Sequence, residues 1–213
     1  MAITVDKINV SYFPVPKVAC TSIKHVFYTI ENKREFHPSI RNGAHFHIHN
    51  YYPSVPFQNN PHDRIRRHHR VCVVRDPIKR FLSSYSNRVC FHKELGKEHL
   101  SPKAISAGAE PDPDLEVFVE KLEIYREHSR SIRAHTDPHV FYLGGDRDYY
   151  SKIYQMSDLD DLVLDLSARS GIDLELPHKQ AGGPKISVDS LSSNAIEKIK
   201  KFYDEDYQSY DFL

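Results

Sequence analysis

The stretch that most constrains this chain is Pro16-Lys17-Val18-Ala19-Cys20-Thr21-Ser22-Ile23-Lys24, because it joins two different hydrophobic periodicities. Before it, Ile8 to Phe13 alternates and is rich in β-branched and aromatic residues, so a strand is expected that Pro14 and Pro16 stop. After it, Ile23, Val26, Phe27 and Ile30 recur at helical spacing, with Thr21 or Ser22 available as the N-cap. A strand, a turn and a helix start gather backbone N–H groups, two hydroxyls and lysines around one point. The positive end of the helix favours negative charge there, so the stretch reads as an anion cradle.

Whatever anion it holds must be selected locally. Lys plus Arg and Asp plus Glu both number 29 in 213 residues, so the zero net charge gives no general attraction to nucleic acid or to an anionic membrane. The length suits one domain with a real core. Without an apolar run of membrane-spanning length, and with no basic segment followed by an apolar one at the start, a soluble protein with no membrane span is expected. Cys20, Cys72 and Cys90 are odd in number and lack paired spacing, which suits reduced thiols and a cytoplasmic setting.

Further along, Glu31 to Arg41 is polar, contains Pro38 and reads as a loop with a short helical turn. Ala44 to Tyr52 alternates with period two, which would put His45, His47 and His49 on one face of a strand. Three imidazoles so placed fit a metal site, a solvated strand face or a catalytic base. Arg64 to Arg70 is a short basic run without interleaved aromatics and reads as a solvated loop, whose edge can help hold an anionic substrate. Val71-Cys72-Val73-Val74 is the mark of a strand buried on both faces of a parallel sheet. It ends at Arg75-Asp76-Pro77, which places Arg75 at the strand end and Pro77 in a first helical turn, with Ile78, Phe81, Leu82 and Tyr85 facing inward. Phe91 to Pro113 loses periodicity and reads as a mobile lid or substrate loop; Leu115 to Tyr125 reads as one amphipathic helix. Asp158 to Ser170 reads as a scaffold helix closed by Gly171.

The two strand–turn–helix units, Pro-Lys-Val-Ala-Cys-Thr-Ser-Ile-Lys and Val-Val-Arg-Asp-Pro-Ile-Lys-Arg-Phe-Leu-Ser-Ser-Tyr, closely resemble the two nucleotide-binding motifs of sulfotransferases. The match is nearest to the carbohydrate (Golgi-type, heparan-like) branch. The resemblance implies a single sulfotransferase domain over 1–213, of α/β class: a P-loop-NTPase-like three-layer sandwich with a central mainly parallel sheet flanked by helices. It implies that Lys17, Cys20, Thr21, Ser22, Ile23 and Lys24 surround the 5′ end of 3′-phosphoadenosine 5′-phosphosulfate (PAPS), whose product is PAP. Arg75 and Ser83 would grip the 3′-phosphate. Ile153 to Leu159 is similar to a following strand and helix start, with Ser157 where an acidic residue is usual. Leu176 to Lys185, then Ile196 to Tyr207, resembles the closing loop and terminal helix, with Gln180 in place of Asn and Lys185 as a further nucleotide contact. Arg130 to Phe141, with Arg133, His135, Asp137 and His139, resembles a stretch near the acceptor site; it reads equally as a polar surface loop.

A P-loop kinase or NTPase would need Gly-x-x-x-x-Gly-Lys-Ser/Thr, which this chain lacks, as it lacks an evident magnesium-binding pair. The expected reaction is in-line transfer of a sulfuryl group to a small-molecule or glycan hydroxyl acceptor, with no metal. Lys17 would meet the charge on the leaving oxygen. His47-Ile48-His49 resembles the family's His-x-His pair, and His49, then His47, would take the acceptor's proton. Two other classes remain open: a PAP- or PAPS-binding module without turnover, and a metalloprotein built on His45, His47 and His49.

Overall fold

The computed structural model describes residues 1–177 and 182–212. In chain order its elements are β1 (Ile3–Val5), β2 (Val10–Phe13), α1 (Cys20–Asn32), β3 (Ser39–Arg41), β4 (Ala44–Phe46), α2 (Ile48–Tyr51), β5 (His69–Val74) and α3 (Pro77–Ser84). They continue as a π-helical segment (Tyr85–Phe91), α4 (Pro102–Ser106), α5 (Leu115–Glu120), α6 (Leu122–His128), α7 (Arg130–Thr136), α8 (His139–Leu143), β6 (Lys152–Gln155), α9 (Leu159–Ser170), α10 (Ser193–Phe202) and α11 (Asp204–Ser209). The chain divides into two compact units. One comprises 1–75, 139–180 and 212–213; the other comprises 76–138 and 181–211.

The first unit carries a four-stranded sheet in the order β1-β2-β5-β6, flanked by helices including α1 and α9. β2, β5 and β6 run parallel and only β1 is antiparallel to its neighbour. Val71 to Val74 are all buried, as an apolar run between two parallel neighbours should be. The sheet packs on α1 through Tyr12 and Phe27, whose rings stack 5.3 Å apart. β1 has no counterpart in the sequence expectations. The strand expected at Ile8 begins at Val10, because Asp6–Ile8 form a 3₁₀ turn that Asn9 ends in the left-handed region at φ 55°.

Two expectations in this unit are corrected. Glu31 to Arg41 holds no short helical turn: α1 runs on to Asn32, and Ser39–Arg41 pair with Ala44–Phe46 as a hairpin. Asn42 and Gly43 form its two-residue turn at φ 50° and 75°, the pairing that type I′ hairpins favour. The alternating histidine strand also stops early. β4 ends at Phe46, His47 becomes an N-cap and His49 lies within α2, so the three imidazoles do not share a strand face. Among the described residues no group of three or more His, Cys, Asp or Glu side chains is arranged to hold a metal ion.

The second unit is helical around an apolar core that includes Phe81, Leu82, Phe118, Tyr125, Ile132, Ile199 and Tyr203. α3 begins as its sequence demands. Pro77 occupies the first turn, Asp76 accepts the Lys79 N–H at 2.8 Å, and Ile78, Phe81, Leu82 and Tyr85 are buried. Phe91 to Pro113 is not a detached lid, since Leu95, Ala104 and Ala109 are buried in the core and α4 lies inside the stretch. The helix expected from Leu115 to Tyr125 breaks at Lys121 into α5 and α6. Arg130–Thr136 is the helix α7, not a surface loop; Asp137 pairs with Arg126 at 2.9 Å, and its carbonyl accepts from the fully buried Arg80.

Candidate active site

The turn between β2 and α1 is set by handedness. Lys17 and Ala19 stand at φ 70° and 55°, a region L-residues occupy at a cost, while Val18 between them does not. Backbone in which residues of opposite hand alternate is the kind that can turn successive N–H groups toward one centre, as in anion nests. Ala19 is the N-cap of α1 and supplies no side-chain acceptor, so the helix begins at Cys20, before the expected Thr21 or Ser22 cap. Thr21 and Ser22 therefore lie in the first turn, where amides have no intrahelical acceptor and the helix end is positive. Ile23 contributes to the core instead: its side chain is fully buried and its N–H donates to the Ala19 carbonyl at 3.1 Å.

Arg75 follows the last residue of β5. Because β2 and β5 are parallel, their C-terminal ends share one edge of the sheet, the edge at which open α/β sheets bind ligands. There the Arg75 guanidinium donates to the Lys17 carbonyl at 3.3 Å, and the Arg75 N–H donates to Nε2 of the fully buried His139 at 3.4 Å. Lys17 and Arg75, both half-buried, are thus brought together. Ser83, in the last turn of α3, is half-buried and belongs to the second unit, as does the exposed Lys185. His178, Lys179 and Gln180, expected in the closing loop, lie outside the described residues.

His49 is seated over α1 by packing. Ile48 is buried with Tyr28 and Phe36, and Tyr28 and Tyr51 meet edge-on at 5.1 Å, which docks α2 on α1. Thr21 and Lys24 stand three residues apart on α1 and so share a face. The His49 ring lies against both, with Nε2 at 2.9 Å from the Thr21 hydroxyl and Nδ1 at 3.0 Å from the Lys24 Nζ. Lys24 is fully buried, and its Nζ lies 3.3 Å from Ser54 Oγ as well as beside His49. Burial pushes the Lys24 pKa below its ordinary value, against a smaller opposing effect of Cys20. His47 is exposed and caps α2: its Nδ1 accepts the His49 N–H at 3.2 Å while its own N–H donates to Asn50 Oδ1 at 2.9 Å. Ser54 and the left-handed hand of Lys17 and Ala19 had no signal in the sequence, for no glycine marks the turn.

Comparison with known proteins decides the family. The sulfotransferase family matches along residues 1–213. The chain belongs to the sulfotransferase family. Among curated proteins this sulfotransferase is similar to carbohydrate sulfotransferase 11 of Mus musculus, at 26% identity over 187 residues, covering 75% of this chain and 51% of the relative. The sulfotransferase chain therefore spans about half the length of that relative. No solved structure matches it.

Proposed function

We propose that the protein transfers a sulfuryl group from PAPS to a hydroxyl of a carbohydrate or glycoconjugate, and that residues 1–213 work as one sulfotransferase domain with P-loop-NTPase-like layering. The observation that carries the reading is the glycine-free left-handed turn at Lys17 and Ala19, opening on a helix start with Arg75 bonded across it. Its donors fit a phosphosulfate: converging amides, the Thr21 and Ser22 hydroxyls and two cations on one sheet edge. Lys17, with the first-turn residues Cys20, Thr21 and Ser22, holds the 5′ end. The family resemblance assigns Arg75 and Ser83 to the 3′-phosphate and Lys185 to a further nucleotide contact. The carbohydrate acceptor is supported by the name of the mouse relative.

The chemistry follows from what these side chains can do. Lys17 and the first-turn amides stabilise charge gathering on the leaving phosphate oxygen, which is where a loose in-line transition state places it. His49 accepts the acceptor's proton; the exposed His47 orients α2 through its cap and can contact the acceptor. No step calls for a metal. The test incubates the protein with PAPS and a panel of monosaccharides and desulfated polysaccharides, following PAP release and product mass. Arg75→Ala weakens PAP binding by roughly 1.5–3 kcal/mol, the range for hydrogen bonds to charged groups. His49→Ala leaves PAP binding intact and lowers turnover about 10²-fold or more. PAP binding without product from any acceptor would make the protein a nucleotide-binding module; absence of PAP binding would overturn the reading.

A further inference from the structure

We propose that Lys24 is a positioning residue acting through His49: it accepts the Nδ1 proton of His49, so that Nε2 stays bare and the pair works as one base. The inference rests on the proposed sulfotransfer reaction and assigns Lys24 away from the nucleotide, to which the sequence resemblance had given it. Three observations carry it. The Lys24 side chain is fully buried, with its Nζ held at 3.0 Å from His49 Nδ1. Among the described residues it has no carboxylate partner; its contacts are His49 Nδ1 and Ser54 Oγ. And His49 turns its other nitrogen to the Thr21 hydroxyl, in the first turn of the nucleotide-facing helix.

The protonation states follow from the hydrogen-bond inventory. An ammonium only donates, so a charged Lys24 would make Nδ1 an acceptor and leave the neutral imidazole's proton on Nε2, where it blocks base catalysis. A neutral amine accepts Nδ1–H, and Nε2 then accepts from Thr21. Burial, the largest cause of the lowered Lys24 pKa, favours the second state, and Cys20 opposes it less strongly. The Met1 amino group, itself lowered to about 5 by burial and then by Lys24, is neutral at about pH 7.5 and adds no charge beside it. In turnover the acceptor hydroxyl takes the place of Thr21 at Nε2. Its O–H bond breaks as its oxygen forms the bond to sulfur, and the bond from sulfur to the 5′-phosphate oxygen breaks with its electron pair left on PAP. Nε2 gains the proton, Nδ1 passes its own to Lys24, and the pair ends as a neutral imidazole and an ammonium. Release of one proton to solvent restores it.

The experiment reads the tautomer directly. The 14 histidines are labelled with ¹⁵N, and His49 is assigned by difference from His49→Gln, with PAP bound. In the wild type at pH 7.5 the expected spectrum (a choice of buffer near neutrality, roughly one unit above an ordinary imidazole pKa) has the proton on Nδ1. Lys24→Arg, which cannot lose its charge, moves the proton to Nε2 and lowers kcat about 10²-fold, with the KM for PAPS and PAP binding unchanged. Lys24→Met gives the same loss of kcat, and small primary amines restore part of the turnover of Lys24→Ala in an order that follows their pKa. A wild-type proton on Nε2, or full activity of Lys24→Arg, overturns the proposal while leaving the sulfotransferase reading in place. Wild-type protein that fails to bind PAP or to release it from PAPS sinks that reading instead. Should Lys24→Arg fail to fold, as PAP binding would reveal, the wild-type tautomer alone decides.

Discussion

Ala19 stands at φ 55° and ψ 20° with a side chain of one methyl group, the least that an L-residue other than glycine can bring to that region. A second branch at its Cβ would crowd the following carbonyl. Ala19→Val is therefore expected to destabilise the protein by about 1–3 kcal/mol and to weaken PAP binding, because the chain relieves the strain by opening the turn. Ala19→Gly removes the steric term but frees the empty turn, so it is expected to keep the fold and to weaken PAP binding less than Ala19→Val does. Thermal melts and calorimetric titration with PAP check both. Lys17 shares the constraint and adds a charge to the turn, whereas Ala19 brings only its backbone and one methyl group.

At the scale of elements, the site depends on helices and strands that the sequence announces unequally. β5, α1, α3 and α9 were legible, since each combines a long apolar pattern with a stop: Val71 to Val74 before Arg75, Ile23 to Ile30, Pro77 opening α3, Gly171 closing α9 at φ 65°. α2 was not. Its single turn is too short for a helical period, and His47 caps it with an imidazole where sequence rules look for a hydroxyl or carboxylate. The alternation of His45, His47 and His49 thus imitates a strand that tertiary packing of Ile48 overrides. The β6–α9 junction makes a pH-dependent prediction. Tyr154 donates to the Asp165 carboxylate, Lys152 lies 3.1 Å from it, and the tyrosine bond, then the lysine, hold the Asp165 pKa below its ordinary 3.8. A lowered carboxylate pKa adds stability that is complete above 3.8 and lost as pH falls through the folded value. Asp165→Asn should consequently lower Tm near neutral pH, with the gap to wild type closing in strong acid; a gap independent of pH would refute the linkage.

For the whole molecule, composition bounded the fold class better than it located function. Zero net charge gives no general attraction to polyanions, and among the described residues no helix is long and apolar enough to cross a membrane. The division into two units was not legible, because the chain leaves the first at Asp76, returns at His139 and crosses again, while sequence patterns report only local order. Nucleotide binding supplies the molecular-scale prediction. PAP at a hundred times its Kd should stabilise the protein by about 2.7 kcal/mol, and the shift in Tm should persist in EDTA, as should turnover. Loss of either on chelation would mean that a metal completes the site. One consequence lies in the cradle itself. Glycine would let this turn wander when empty; Lys17 and Ala19, held left-handed between strand and helix, give it little elsewhere to go. An anion would then arrive at a cavity already cast, and its affinity would owe more to unspent entropy than to added contacts.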